Sequence, residues 1–285
     1  MLKFTKMHGI GNDYIYFNCF EQTIQNPEEL SQRISDRHFG VGGDGIVLIC
    51  PSHVADAKMR MFNADGSEGK MCGNAIRCVG KYLYDNHMVS NAHITIETLS
   101  GIKTLELFVK DGKVWGAKVD MGKAIWAPAE IPVVLPGEKI VNAQATIGDT
   151  QYAITCVSMG NPHCVVFVED PQELELEKIG PLFENAPLFP QRVNTEFVRV
   201  IDESTLEMRV WERGSGETWA CGTGACATVA AAVACGHCKE NTDVTVKLKG
   251  GDLTICYTEQ GVWMTGPAQK VFDGVLCEEI MENGC

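Results

Sequence analysis

The chain repeats itself. When Cys72 is laid on Cys221 (221 − 72 = 149), two distant segments fall into line at the same offset. "IGNDYIYF" from Ile10 lies on "MGNPHCVVF" from Met159, pairing Gly11 with Gly160 and Asn12 with Asn161. "MRMFNADG" from Met59 lies on "MRVWERGS" from Met208, pairing Phe62 with Trp211 and Asn63 with Glu212. One residue further along, "ITIETLSG" (94–101) lies on "VTVKLKGG" (244–251). Agreement of separate motifs on one offset implies two copies of one module, and a length of 285 residues holds two domains of ordinary size. The segment "APAEIPVVLPGEK", with Pro128, Pro132 and Pro136, reads as an extended crossover. The expected domains are 1–125 and 126–285, with a C-terminal segment that can pack back on the first.

Each half reads as strands, then a helix after the cysteine, then further strands. The strands are runs such as "YIYFN", "GIVLI", "CVVFV" and "TEFVRV", followed later by "KTLELFV" and "DLTICYT". The helices are "GNAIRCVGKYLYDN" and "GTGACATVAAAVACG". A helix carrying Gly, Ala, Val and Cys on most faces is buried, so each is expected inside a curved sheet.

A formal net charge of −13 argues against a nucleic-acid or anionic-membrane partner. The first residues lack the apolar core and cleavage site of a signal peptide, and "ACATVAAAVAC" is too short to span a bilayer, so the expected location is cytoplasmic. Thirteen cysteines, an odd number without an export signal, fit reduced thiols. Cys50, Cys156, Cys164 and Cys256 sit in apolar runs as small hydrophobes.

Cys72 and Cys221 do not. Each follows a polar, glycine-containing approach and precedes Gly at a helix start, where backbone N–H groups and the helix dipole stabilise an anion. The thiol pKa is expected to fall from about 8.5 toward neutrality. The amides of Gly73–Asn74 and Gly222–Thr223 can cradle a carboxylate. If the two halves face each other, one thiolate removes a proton beside that carboxylate while the opposite thiol delivers one, with no cofactor. The "CGHC" at 235–238 follows a helix instead of opening one, without a thioredoxin-like lead-in, and Gly236 reads as a helix stop. No second ligand pair accompanies it at a zinc spacing, so no metal is assigned.

"HGIGNDY", "FNADGSEGKMCGNAIRC", "MGNPHCV" and "ERGSGETWACGTGACA" together resemble the diaminopimelate epimerase family, in order and over nearly the whole chain. The resemblance implies an α/β (α+β) fold of two pseudo-symmetric domains, each a curved, mostly antiparallel sheet wrapped around a central helix. It implies cofactor-free interconversion of LL- and meso-diaminopimelate, usually by a homodimer. Carried over, Cys72 and Cys221 are the acid/base thiols, and Gly73, Asn74, Gly222 and Thr223 hold the reacting carboxylate. Asn12, Asn63, Asn161, Asn194 and Arg213 bind the substrate's ammonium and carboxylate groups. Glu212 pairs with an ammonium, and Glu212 and His163 tune the thiols. Read alone, Asn12 and Asn161 are also ordinary turn residues, His163 a core histidine, and Glu212–Arg213 a surface ion pair.

Gly45 departs from the family, many of whose members carry glutamine there. Rival readings are a racemase of proline, hydroxyproline or histidine on the same fold, and a non-catalytic amino-acid-binding protein. Proline racemase-like chains typically read Cys-Gly-His at the first cysteine, where this chain has "CGN". Arg213 with several asparagines suits a second zwitterionic head group, which histidine lacks.

Overall fold

The structure, a computed structural model, describes residues 1–277 and 279–282. It divides into two compact units, Met1–Val119 with the segment from Gly266 onward, and Asp120–Thr265.

The first unit is built from β1 (Leu2–Gly9), β2 (Asn12–Asn18), α1 (Pro27–Ile34), β3 (Gly45–Cys50), β4 (Ala57–Asn63), β5 (Glu68–Gly69), α2 (Gly73–Asp85), β6 (His93–Thr98), β7 (Gly101–Lys110) and β8 (Lys113–Asp120), with β18 (Gln269–Leu276) added at the far end of the chain. Neighbours run β18–β1–β2–β3–β4–β6–β7–β8, with β5 also on β4. Among the described residues of this unit, only β2–β3 and β4–β6 are parallel.

The second unit repeats the plan with β9 (Ile140–Ile147), β10 (Thr150–Ser158), β11 (Pro162–Phe167), α3 (Leu176–Glu184), β12 (Asn194–Asp202), β13 (Thr205–Glu212), β14 (Gly216–Thr218), α4 (Gly222–Ala234), β15 (Asp243–Leu248), β16 (Gly251–Tyr257) and β17 (Val262–Pro267). The parallel pairs are again the equivalent ones, β11–β12 and β13–β15.

The repeat holds at the level of register. Ile46 faces Phe62 and Thr195 faces Trp211; Met61 faces Gly69 and Val210 faces Thr218; Ala57 faces Ile96 and Leu206 faces Val246. Because a one-residue slip would turn every side chain to the opposite face, this agreement means both copies bury the same sequence positions. The outer strand is recruited differently: β9 comes directly before β10, its partner, in sequence, whereas β18 returns from the C-terminal end to pair with β1.

The central helices are held as their composition requires. In α4, residues Gly222 and Gly224–Ala232 are all buried, and the helix packs on β10, β11, β12, β13, β15 and β16. The first two turns of α2, Gly73–Gly80, are equally buried, against β1, β2 and β7. That stretch includes a fully buried arginine. Arg77 donates to the carbonyls of Gly73 (3.1 Å) and Pro267 (3.1 Å) and to Asn74 Oδ1 (3.0 Å). Its charge is spread over oriented acceptors inside its own unit, which offsets the cost of burying it.

Two features differ from the sequence reading. Each unit carries a second helix, α1 or α3, ahead of its cysteine helix, where a single helix is expected. Both are short and amphipathic, and both cover the outer face of their sheet, with Leu30 and Ile34 or Leu176 and Phe183 turned inward. The proline-rich crossover is not a bare link: Ile131 and Val133 join the apolar core of the second unit, and Val134 N–H donates to the Leu188 carbonyl at 2.8 Å.

Gly45 has a backbone reason to be glycine. Its φ is +151°, and a Cβ there would lie 2.0 Å from the Phe62 carbonyl oxygen. Gly45→Gln is therefore expected to destabilise the chain by roughly 3 kcal/mol, combining strain and overpacking. Urea unfolding checks this as a lower midpoint at unchanged slope.

Candidate active site

Cys72 and Cys221 are the N-caps of α2 and α4. Both have extended backbone, φ −133° with ψ 120° and φ −114° with ψ 108°. Each carbonyl accepts the first helical bond, from Ile76 N–H and Ala225 N–H, both at 3.0 Å. Each sulfur turns back onto its helix, accepting Ala75 N–H at 3.5 Å and Gly224 N–H at 3.3 Å. This is the position that serine, threonine or aspartate usually occupies. A cysteine here satisfies an orphan amide with a titratable atom held on the helix axis.

In the first unit the sulfur of Cys72, half-buried, donates to Asn12 Oδ1 at 3.3 Å. Asn12 Nδ2 donates to Asp44 Oδ2 at 2.7 Å, and the same oxygen accepts Asp13 N–H at 3.0 Å. Arg37 bridges Asp13 (2.7 Å) and Asp44 (3.1 Å), and Lys6 pairs with Asp13 at 2.5 Å. Burial works against charge on Asp13, but hydrogen bonds from Arg37 and Lys6 outweigh it and hold the carboxyl below its ordinary range. Burial and then the neighbouring Asp13 charge push Asp44 upward.

Asn12 enters from the two-residue turn Ile10–Gly11, with φ of +49° and +85°. A β-branched residue at positive φ is costly, and here it sits beside a candidate site residue. Asn63 closes β4 opposite Gly45, with its side-chain amide on Ser67 Oγ at 2.9 Å. Asn74 is buried, its side-chain oxygen held by Arg77.

In the second unit Cys221 is buried, and its sulfur lies 3.5 Å from Thr223 Oγ1. Asn161 Nδ2 donates to that hydroxyl at 3.3 Å, while Asn161 Oδ1 meets His163 Nε2 at 3.0 Å. His163 Nδ1 meets Glu196 Oε1 at 2.7 Å, and both side chains are fully buried. Glu196 Oε1 also lies against the first turn of α4, where a Cβ on Gly224 would approach it to 2.7 Å. Glu212 accepts from the Thr218 hydroxyl, and its charge acts on the Cys221 thiol. Asn194 reaches two partners, donating to the Pro162 carbonyl (2.8 Å) and accepting Arg213 N–H (2.9 Å).

The residues singled out from sequence thus assemble around each sulfur: Asn12 with Cys72, and Thr223, Asn161, His163 and Glu212 with Cys221. The Arg213 guanidinium donates instead to the Gln191 carbonyl at 2.9 Å, and Asn194 meets the backbone of Arg213 and not its charged end.

Asp44, Thr218 and Glu196 escape sequence reasoning. Glu196 alone leaves a readable signal, a charged residue inside the otherwise apolar run "TEFVRV". The expectation of a depressed thiol pKa is overturned at Cys221. Burial, then the charges of Glu212 and Glu196, push it well above the ordinary thiol range, against the smaller lowering by Thr223 and Gly224 N–H. Burial likewise raises Glu212. A helix N-terminus supplies about half a charge, which two nearby carboxylates outweigh.

The family model for diaminopimelate epimerase matches residues 4–127 and 155–271. A diaminopimelate epimerase of Acetivibrio thermocellus is 58% identical over 275 residues, covering 96% of this chain and 98% of its own length. One of Methanococcus maripaludis (strain S2) is 57% identical over 277 residues, covering 96% and 99%. Among solved structures, a hydroxyproline epimerase of Agrobacterium vitis with bound trans-4-hydroxy-L-proline has a TM-score of 0.72 at 15% identity, over 96% of this chain and 91% of that one. A probable proline racemase of Agrobacterium radiobacter has a TM-score of 0.73 at 13% identity, over 97% and 93%. The last two are similar in fold.

The electrostatics of Cys221 are testable by alkylation. Its thiolate forms only above the pH at which an ordinary thiol ionises, so iodoacetamide labelling of the Cys221 peptide is expected to rise late in a pH series. Glu212→Gln removes a nearby negative charge and moves that rise to lower pH. Peptide mass spectrometry reads both curves, and an unmoved curve contradicts the assigned cause.

Proposed function

The chain belongs to the diaminopimelate epimerase family, and on that premise we propose that it interconverts LL- and meso-2,6-diaminopimelate, an isomerisation on the route to lysine and peptidoglycan precursors. The observation that carries the reading is the pair of cysteine N-caps, one per repeat, each with its sulfur turned onto its own helix start.

Inverting a carbon bonded to a carboxylate and an ammonium requires a base on one face and an acid on the other. One cysteine, as thiolate, takes the α-proton, and the carbon's electron pair spreads into the carboxylate. The other, as thiol, returns a proton to the opposite face. The cysteines end with their protonation states exchanged, and the reverse reaction starts from that state. First-turn amides at Gly73–Asn74 and Gly222–Thr223 hold the carboxylate as its charge grows.

Cys221 fits the resting thiol, since burial and carboxylates favour its neutral form. Glu212, whose charge acts on Cys221, is assigned to take the proton when Cys221 must become the base. In unit 1, Asn12 accepts the S–H of Cys72 and orients it. Arg213 and the asparagines are assigned to the distal ammonium and carboxylate, where a guanidinium can hold a carboxylate in two places. The chain supplies acid, base and anion-holding groups, so the reading assigns no cofactor and no metal. It also assigns a cytoplasmic homodimer with no nucleic-acid or membrane partner; among the described residues no helix is long and apolar enough to cross a membrane.

Proton NMR of LL-diaminopimelate in D2O, with reduced protein and nothing added, tests the reaction. The expected result is loss of the α-proton signal with appearance of the meso isomer, abolished in both Cys72→Ala and Cys221→Ala. Turnover retained in either variant would rule out the two-thiol mechanism. No exchange by folded, reduced protein would rule out the substrate.

A further inference from the structure

Glu184, the last residue of α3, is an acid only 7% exposed, outside the cluster around Cys221. Its Oε2 accepts the indole N–H of Trp211 at 2.7 Å. Its Oε1 accepts Gly214 N–H at 2.9 Å and Arg192 Nη1 at 3.0 Å. The helix that delivers it is fixed in place: Gly180, one turn earlier, lies flat on the Trp211 ring, where a Cβ would come within 2.2 Å of Cδ2. One carboxylate therefore fastens three points, Trp211 near the end of β13, Gly214 in the turn that follows, and Arg192 in the segment leading to β12.

Arg213 sits inside that frame. It is the residue between Glu212 and the Gly214 amide that Glu184 holds, and its own N–H donates to Asn194 Oδ1 at 2.9 Å. One of its five donors goes to the carbonyl of Gln191, the neighbour of Arg192. The turn is tight, with Gly214 at φ +80° and Ser215 N–H on the Glu212 carbonyl at 3.0 Å. Both the backbone of Arg213 and the acceptor of its guanidinium thus lie on segments tied to the same carboxylate.

We propose that Glu184 is a positioning residue for substrate recognition: it ties the 211–214 turn to the 191–192 segment and so presets Arg213 to grip a carboxylate at the end of the substrate remote from the reacting carbon. This rests on the assignment of Arg213 to the distal carboxylate. A guanidinium already held in place loses less freedom on binding, so the contribution appears in affinity and not in the chemical step. Glutamine at 184 keeps the shape but offers one acceptor oxygen and an NH2 group, and either orientation sets that NH2 against an N–H donor. The tie is broken on one side without opening a cavity.

The test is steady-state kinetics with diaminopimelate on Glu184→Gln, Arg213→Ala and the double variant. The expected result for Glu184→Gln is a KM raised about tenfold with kcat within about threefold, the pattern of lost uniform binding. Arg213→Ala raises KM at least as much, and the double variant matches Arg213→Ala alone, because two residues acting through one contact are not additive. A KM unmoved by Glu184→Gln while Arg213→Ala raises it overturns the role of Glu184 and leaves that of Arg213 standing. Effects that multiply in the double variant also overturn it. A KM unmoved by Arg213→Ala overturns the Arg213 assignment and, with it, the proposal. If Glu184→Gln fails to fold, hydrogen exchange on the unmodified protein decides: strong protection of the Gly214 amide and the Trp211 indole N–H is expected, and exchange at the rate of an exposed turn overturns the proposal.

Discussion

A sulfur atom accepting the amide of the third residue beyond it, at the start of a buried helix, is the contact on which both halves of the molecule depend. It closes the helix end, worth about 1 kcal/mol for an ordinary oxygen cap. It also fixes where the sulfur points. The helix can be buried to its first turn because the cap needs no water, and the reactive atom is held still because the helix beneath it is packed on all sides. Serine would close the helix equally well. Only a thiol adds an ionisable sulfur.

The two units share a register and differ in chemistry at equivalent positions. Asn12 and Asn161 correspond, but Asn12 leads to Asp44 and a network of Arg37, Asp13 and Lys6 that opens to solvent at Arg37, whereas Asn161 leads inward to His163 and Glu196. The equivalents of His163 and Glu196 are Tyr14 and Val47, and that of Glu212 is Asn63. One sulfur therefore has an amide and a partly exposed ion network behind it, and the other a cluster of two carboxylates and an imidazole, of which His163 and Glu196 are fully buried. In the proposed mechanism the LL and meso substrates are not equivalent, and unequal surroundings for the two thiols suit that inequality. The backbone symmetry supplies two thiols, and side-chain divergence makes them distinct.

Much of this was legible in the sequence because repetition is a strong signal. One offset located both cysteines, both helices and the strand pairs around them, since register conserves burial and burial conserves residue type. The α1 and α3 helices were not legible: "PEELSQRI" and "LEKIGPLFE" are short, and the second has a proline inside it. Asp44 was hidden in "GVGGDG", which reads as a turn. The thiol pKa failed for a different reason. Cys221 has its expected place on the helix, but the two carboxylates beside it arrive from β12 and β13, and nothing local to "WACGTG" announces them. Glu184 belongs to the same class, its partners lying 8, 27 and 30 residues downstream.

The cluster behind Cys221 also has a direction. Asn161 Nδ2 lies on Thr223 Oγ1 at 3.3 Å and its Oδ1 on His163 Nε2 at 3.0 Å. His163 Nδ1 in turn lies 2.7 Å from Glu196 Oε1. The contacts run in one line, from Glu196 to His163, Asn161 and Thr223, and from the Thr223 hydroxyl to the Cys221 sulfur at 3.5 Å. The Thr223 hydroxyl favours the thiolate, while Glu212 by its charge favours the thiol. In the proposed mechanism Cys221 is base in one direction and acid in the other, and two opposed influences serve that alternation.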